Sequence, residues 1–247
     1  MNYVVTYWVP PDTSEARKKA LCMYFDLQRK TKERFGCHQT IVTNVDYPHA
    51  VPLVLPPGFL PRHGILAKWF GLGQMIDSGM RCPIMMHDHD VFIRAPIAYD
   101  MEAMYSAYAR DGYVSDQIII IPPMRKNDVM NYINRLRSFT FQGGFRNGYG
   151  CEIRHEGRYS SEIVQMKMQP RPFANTPAKP TITLQDVVSF DIQDTHSLDR
   201  GTADCPPISD EVQAVHAHLN RGEVTASLME WLNRAHECGN MMPAEKD

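Results

Sequence analysis

Pro83-Ile84-Met85-Met86-His87-Asp88-His89-Asp90-Val91-Phe92-Ile93 is an apolar run that breaks into an acidic triplet and then resumes. Cys82 to Met86 predicts a short strand, and Asp88 and Asp90 fall at its carboxyl end. Parallel α/β sheets open their ligand crevice at that end of their strands. If the strand's period of two persists, both aspartates share one face and His89 takes the other, so the carboxylates converge. Two like charges that close repel each other and call for a cation, and hard oxygen ligands select magnesium or manganese. An isolated Asp-x-Asp is also an ordinary surface pair, so the flanking sequence has to decide between the two.

Upstream, Tyr3 to Val9 is a β-branched and aromatic run stopped by Pro10-Pro11, which predicts a buried first strand. Thr13 or Ser14 then caps a helix whose apolar stripe is Ala20, Met23, Tyr24 and Leu27. Its other face is basic, with Arg17, Lys18, Lys19, Arg29, Lys30, Lys32 and Arg34, and is expected to be solvated. Gln39 to Asp46 predicts a second strand, completing a βαβ unit of a parallel sheet. After a Pro-rich loop (Pro48 to Pro61), Ile65, Trp69, Leu72 and Ile76 follow helical spacing and lead into the strand at Cys82.

Downstream the pattern loosens. Val91 to Ile93 reads as an extension of the preceding strand, Met101 to Ala109 as a helix, and Ile118 to Ile121 as a buried strand. Asp128 to Leu136 fits a helix, Phe139 to Tyr149 a Gly-rich loop, Ser160 to Met168 a helix, and Val187 to Phe190 a strand. Val212, Val215, Leu219, Leu228 and Leu232 allow two short helices between Asp210 and His236. The expected organisation is one domain over 1–236, followed by a frayed tail over 237–247.

Across the 247 residues the net charge is only −2, which announces neither a nucleic-acid nor a membrane partner. No apolar run approaches the roughly 20 residues of a membrane span, and Met1 to Val9 lacks a signal-peptide layout, so the expectation is cytoplasmic. Six cysteines are scattered without a C-x-x-C pair, against a zinc knuckle or redox dithiol. The chain also lacks a Walker A loop, a G-x-G-x-x-G at the first strand and a G-x-S-x-G elbow.

Ile65 to Phe70 with Lys68, followed by Pro83 to Ile97 around Asp88-His89-Asp90, resembles the glycosyltransferases of GT-A fold. In that family a helix bearing a basic residue precedes an apolar strand, an Asp-x-Asp, a second apolar strand and a Pro-containing turn. With Val4 to Tyr7 as first strand and Thr43 to Asp46 ending the second, the similarity of layout covers roughly the first 100 residues. It departs from the family at His87 and His89, where an apolar residue and a small or acidic one are usual. The two histidines keep open a metal-dependent hydrolase built on His87, Asp88, His89 and Asp90; a non-catalytic α/β binding module is the other alternative.

The resemblance implies a GT-A-like α/β fold, a mixed and mainly parallel sheet flanked by helices, with residues 1–100 as nucleotide half, 101–205 as acceptor half and 206–236 as C-terminal helices. It implies a nucleoside diphosphate sugar donor, a UDP-sugar favoured, and a Mn2+ or Mg2+ ion. Asp88 would face sugar and ribose, Asp90 the ion, and Thr6, Tyr7, Asp46 and Lys68 the donor. His196, after the strand near Val187, would be the third metal ligand, Glu162 a base or acceptor-holding carboxylate, and Gly144, Arg146 and Asn147 the acceptor side. Arg125 to Arg158 interleaved with Phe139, Phe141, Phe145 and Tyr149 suits a saccharide acceptor stacked on rings, or a nucleic-acid base taken out of its stack.

Overall fold

The computed structural model describes residues 1–95, 97, 99, 101, 104–106, 109–110, 113–114, 117–141, 187–189, 192–194, 213–216 and 230–234. In chain order these give β1 (Asn2–Tyr7), α1 (Glu15–Arg34), β2 (His38–Thr43), β3 (Val51–Pro52), a 3-10 turn (Pro61–Leu66) and α2 (Ala67–Asp77). Next come β4 (Ile84–His87), β5 (Val91–Ile93), β6 (Met104–Ser106), β7 (Ala109–Arg110), β8 (Tyr113–Val114) and β9 (Ile118–Ile121). The last are α3 (Lys126–Phe141), β10 (Val187–Ser189), β11 (Ile192–Asp194) and β12 (Ala214–His216).

The chain forms two compact units. The first is Met1–Asp12, Thr40–Asp88 and Tyr99–Phe190. It holds a seven-stranded sheet in the order β10-β6-β9-β4-β1-β2-β3. β1 lies parallel to β4, β2 to β3 and β6 to β10, while β9 runs antiparallel to β4 and β6. Ile84 to Met86 and Ile118 to Ile121 are buried on both faces, as interior strands in α/β folds are, and read as unbroken apolar runs. α2 and α3 cover the sheet: Trp69, Phe70, Leu72 and Ile76 of α2 and Val129, Tyr132, Ile133 and Leu136 of α3 share one core with Val4, Val42, Ile84 and Met86.

The second unit is Thr13–Gln39, His89–Ala98 and Asp191–Asp247. Its sheet has the order β11-β12-β5, with β11 parallel and β5 antiparallel to β12. Ser14 caps α1, its hydroxyl accepting from the Arg17 amide at 3.3 Å. α1 ends in a Schellman motif: Gly36 sits at φ +66°, Cys37 N–H donates to Lys32 C=O at 2.9 Å and Gly36 N–H to Glu33 C=O at 3.0 Å. α2 ends the same way at Gly79, with Met80 donating to Met75 at 3.0 Å. Each motif turns the chain out of a helix and towards the strand that follows it.

The elements up to β4 lie where the sequence places them, with small shifts of boundary. Four expectations need correction. Met104–Ser106 is a strand rather than part of a helix, because backbone pairing with β9 and β10 overrides local propensity. Val91–Ile93 does not prolong β4; residues 89–90 form a turn, and β5 joins a different sheet. Ala214–His216 is a buried strand rather than helix, whereas 230–234 is helical as expected. Residues 139–141 continue α3 rather than opening a loop. The expected helix at Ser160 to Met168 lies outside the described residues.

The face of α1 also differs. Its buried positions are Leu21, Tyr24, Phe25, Leu27, Gln28, Thr31 and Lys32, so the stripe continues through three polar residues. Lys32, expected on the solvated basic face, is 1% exposed.

Candidate metal and donor site

In the first unit, β4 delivers the chain to Asp88. The Asp88 amide donates to the Gln117 carbonyl at 2.9 Å, which ties the end of β4 to the residue preceding β9. His87 is fully buried at the strand's end; its Nδ1 lies 2.8 Å from the Asp88 carbonyl oxygen, and its ring meets Tyr3 edge-on. Lys68 reaches Asp88 from the first turn of α2, with Nζ donating to Oδ1 at 2.7 Å. The Lys68 side chain is only 7% exposed, that of Asp88 22%. A charge-assisted bond of that length between screened groups orients the carboxylate as well as neutralising it.

α2 comes close enough to β1 because residue 71 is glycine. A Cβ there would stand 2.2 to 2.9 Å from Oγ1, Cγ2 and Cβ of Thr6. Thr6 is buried and packed into that contact, Tyr7 is half-buried, and Asp46 is exposed beyond the end of β2. Asn44, which sequence reasoning passed over, ties the chain after β1 to that after β2: its Oδ1 accepts from Val9 N–H and its Nδ2 donates to Val9 C=O, both at 2.8 Å. A short polar residue just past a strand is the signal that marks such a clamp.

In the second unit, Asp90 is 1% exposed. Its Oδ1 lies 3.5 Å from Nε2 of His216 and 3.8 Å from Nδ1 of His89. Both separations exceed the roughly 2.7–3.2 Å of a direct hydrogen bond. Tyr24 of α1 flanks the same carboxylate: burial pushes its hydroxyl up to about 12, with the Asp90 charge adding to the shift and Arg17 opposing it. Near neutral pH it is therefore a neutral phenol.

His216 is positioned by the register of the second sheet. Its ladder partner on β5 is Val91, the residue after Asp90, so an imidazole on β12 is carried to the start of β5. Asp88, Asp90 and His216 make up a group able to hold a metal ion. Two carboxylate oxygens and one imidazole are a donor set for a divalent cation of the manganese kind. Ligands about 2.0–2.2 Å from an ion stand roughly 3–3.5 Å apart, which the Asp90–His216 separation matches.

The two aspartates expected from sequence thus belong to that group, and Lys68 is joined to one of them. Among the described residues His87 and His89 are not part of the group. His216 was missed, since its strand reads as helix. Glu162, Gly144, Arg146, Asn147 and His196 lie outside the described residues.

No protein-family model matches the chain, and no curated protein matches it. Solved structures do. The galactosyltransferase LgtC, in a complex with donor and acceptor sugar analogues, aligns with a TM-score of 0.51 and 10% identity over 95% of this chain and 96% of that one. An active-site mutant of LgtC aligns at 0.52 and 10% identity, covering 94% of both chains. A glycosyltransferase involved in glycosylating the major capsid of PBCV-1 reaches only 0.46, with 9% identity over 95% of this chain and 98% of that one. At such identities the likeness to LgtC shows the fold: the chain has the mixed α/β architecture of GT-A glycosyltransferases, with a mainly parallel central sheet flanked by helices.

Proposed function

We propose that this chain is a metal-dependent glycosyltransferase that moves a sugar from a nucleoside diphosphate sugar to a hydroxyl acceptor. The observation that carries the proposal is the Asp88, Asp90 and His216 group in a chain of this fold. LgtC, which shares the fold, has been seen with donor and acceptor sugar analogues, and that supports the same substrate classes here. A UDP-sugar is the favoured donor and a saccharide the favoured acceptor, with a nucleic-acid base as the alternative acceptor.

Asp88, Asp90 and His216 would hold the ion. Manganese or magnesium bound there would supply a Lewis acid for the departing diphosphate. Lys68, bonded to Oδ1, holds the Asp88 carboxylate in direction. Tyr24, its hydroxyl pushed up to about 12, stands beside Asp90 as a neutral phenol. Residues 1–100 form the donor half of this scheme. Glu162 would act on the acceptor as base or holder, with Gly144, Arg146 and Asn147 beside it and His196 as a further ligand candidate.

The test is a thermal-shift screen of nucleoside diphosphates with and without manganese. A ligand at 100 times its Kd stabilises the native state by about 2.7 kcal/mol, or roughly 5–10 °C for a chain of this size. The expected result is a shift that needs both metal and diphosphate and vanishes in Asp90→Asn. Indifference to every nucleotide in the presence of manganese would reject the proposal.

A further inference from the structure

Gln28 on α1 is 1% exposed, and both ends of its amide are engaged. Its Nε2 donates to the main-chain carbonyl of His89 and, at 3.1 Å, to that of Val91, the two carbonyls flanking Asp90. Its Oε1 accepts from Nε2 of Gln39 at 3.2 Å. An amide NH2 has two hydrogens and here meets two acceptors, so only its oxygen is left to face Gln39, which must present a donor. The bonding thereby sets the orientation of both amides.

The geometry around β5 explains why one amide can do this. Residues 89–90 form the turn that leads into β5, and the Gln28 amide reaches one carbonyl in that turn and one at the strand's first residue. Among the described residues β5 is the edge strand of its sheet, with β12 beside it. Gln28 therefore donates, from a helix, to the turn before β5 and to the strand's first carbonyl. The chain around Asp90 is thus tied to Gln28 through the His89 and Val91 carbonyls, and Val91 is also paired with His216 in the β12 ladder.

We propose that Gln28 is a positioning residue for the metal site, fixing the backbone on each side of Asp90 and so the direction of its carboxylate relative to His216. The inference rests on the assignment of Asp90 and His216 as metal ligands. Partners that orient a ligand commonly change metal affinity by about 10- to 100-fold when removed. Gln28→Met deletes both donors at similar volume, and Gln28→Glu keeps the shape but sets acceptor oxygens against the two carbonyls.

The test is Mn2+ binding by the full chain without nucleotide, followed through the electron paramagnetic resonance signal of the free ion, well below each variant's melting temperature. Both Gln28 variants are expected to weaken binding by about 10- to 100-fold. Leu21→Ala, which removes a buried side chain from the same helix, is expected to lower the melting temperature and leave the Mn2+ Kd unchanged. A folded Gln28→Met protein with wild-type affinity overturns the proposal; if that variant does not fold, Gln28→Glu decides by the same criterion. Equal weakening by Leu21→Ala also overturns it, since general loosening of α1 would then account for the effect. Wild-type protein showing no saturable Mn2+ binding that Asp90→Asn removes overturns both this inference and the metal assignment, and that control separates the two failures.

Discussion

Lys68 and Asp88 meet through side chains that are mostly out of solvent, so each depends on the other to offset lost hydration. Lys68→Met is expected to lower unfolding stability by about 1–3 kcal/mol, because it leaves a screened carboxylate without its cation. In the double variant Lys68→Met/Asp88→Asn the two losses should not add; a coupling of about 0.5–3 kcal/mol, read from urea midpoints, checks the pair. Strict additivity would mean that the contact contributes nothing. Asp88, Asp90 and Lys68 were legible because a charge set at the border of an apolar run loses hydration there and needs an opposite charge or an ion to offset it. His216 was not: Val212, Val215 and Leu219 have helical spacing, and a three-residue strand owes its existence to neighbours distant in sequence. Gln28 and Lys32 hid for a related reason, as polar residues continuing an apolar stripe that pattern reading ends at Leu27.

Among the elements, the contact between α2 and β1 has the least room for change. Gly71→Ala would drive a Cβ into Thr6, a β-branched side chain with few rotamers in which to retreat. The expected cost is about 1–3 kcal/mol, with partial recovery in Gly71→Ala/Thr6→Ala, which removes the two nearest atoms. Chemical denaturation of the two variants measures both; a Gly71→Ala protein as stable as wild type would refute the close approach. The first four long elements and β4 could be read because each carries its own signal: a Ser cap, a 3.6-residue stripe, or a β-branched run bounded by proline or glycine. β6 and β12, three residues each, carry almost none, and the ladders that create them exist only once the sheets form.

At the scale of the whole molecule, the strand and helix alternation of residues 1–90 was enough to anticipate a parallel sheet containing β1, β2 and β4. The second sheet was not, because it pairs Phe92 with Val215, and no local pattern announces a contact across so much chain. Global stability carries a trace of the same burial. Lys32 sits inside the second unit, where desolvation holds its ammonium well below the usual lysine range, Cys37 opposing in part. When the chain unfolds, the amine returns to its ordinary value near 10.5 and takes up a proton that the native state does not bind. Between the lowered native value and 10.5 the unfolded state therefore binds more protons, and stability rises with pH. The contribution is complete above 10.5 and is lost as pH falls through that window. Lys32→Met removes the titrating group, so the variant should be the more stable near pH 7, and its advantage should shrink towards pH 10 at up to about 1.4 kcal/mol per pH unit. Urea unfolding of both proteins from pH 7 to 10 checks the sign, since other groups titrate alike in the two and cancel in the difference. A gap that stays constant, or widens with pH, would show that Lys32 remains protonated in the native protein and that its burial is compensated by charge.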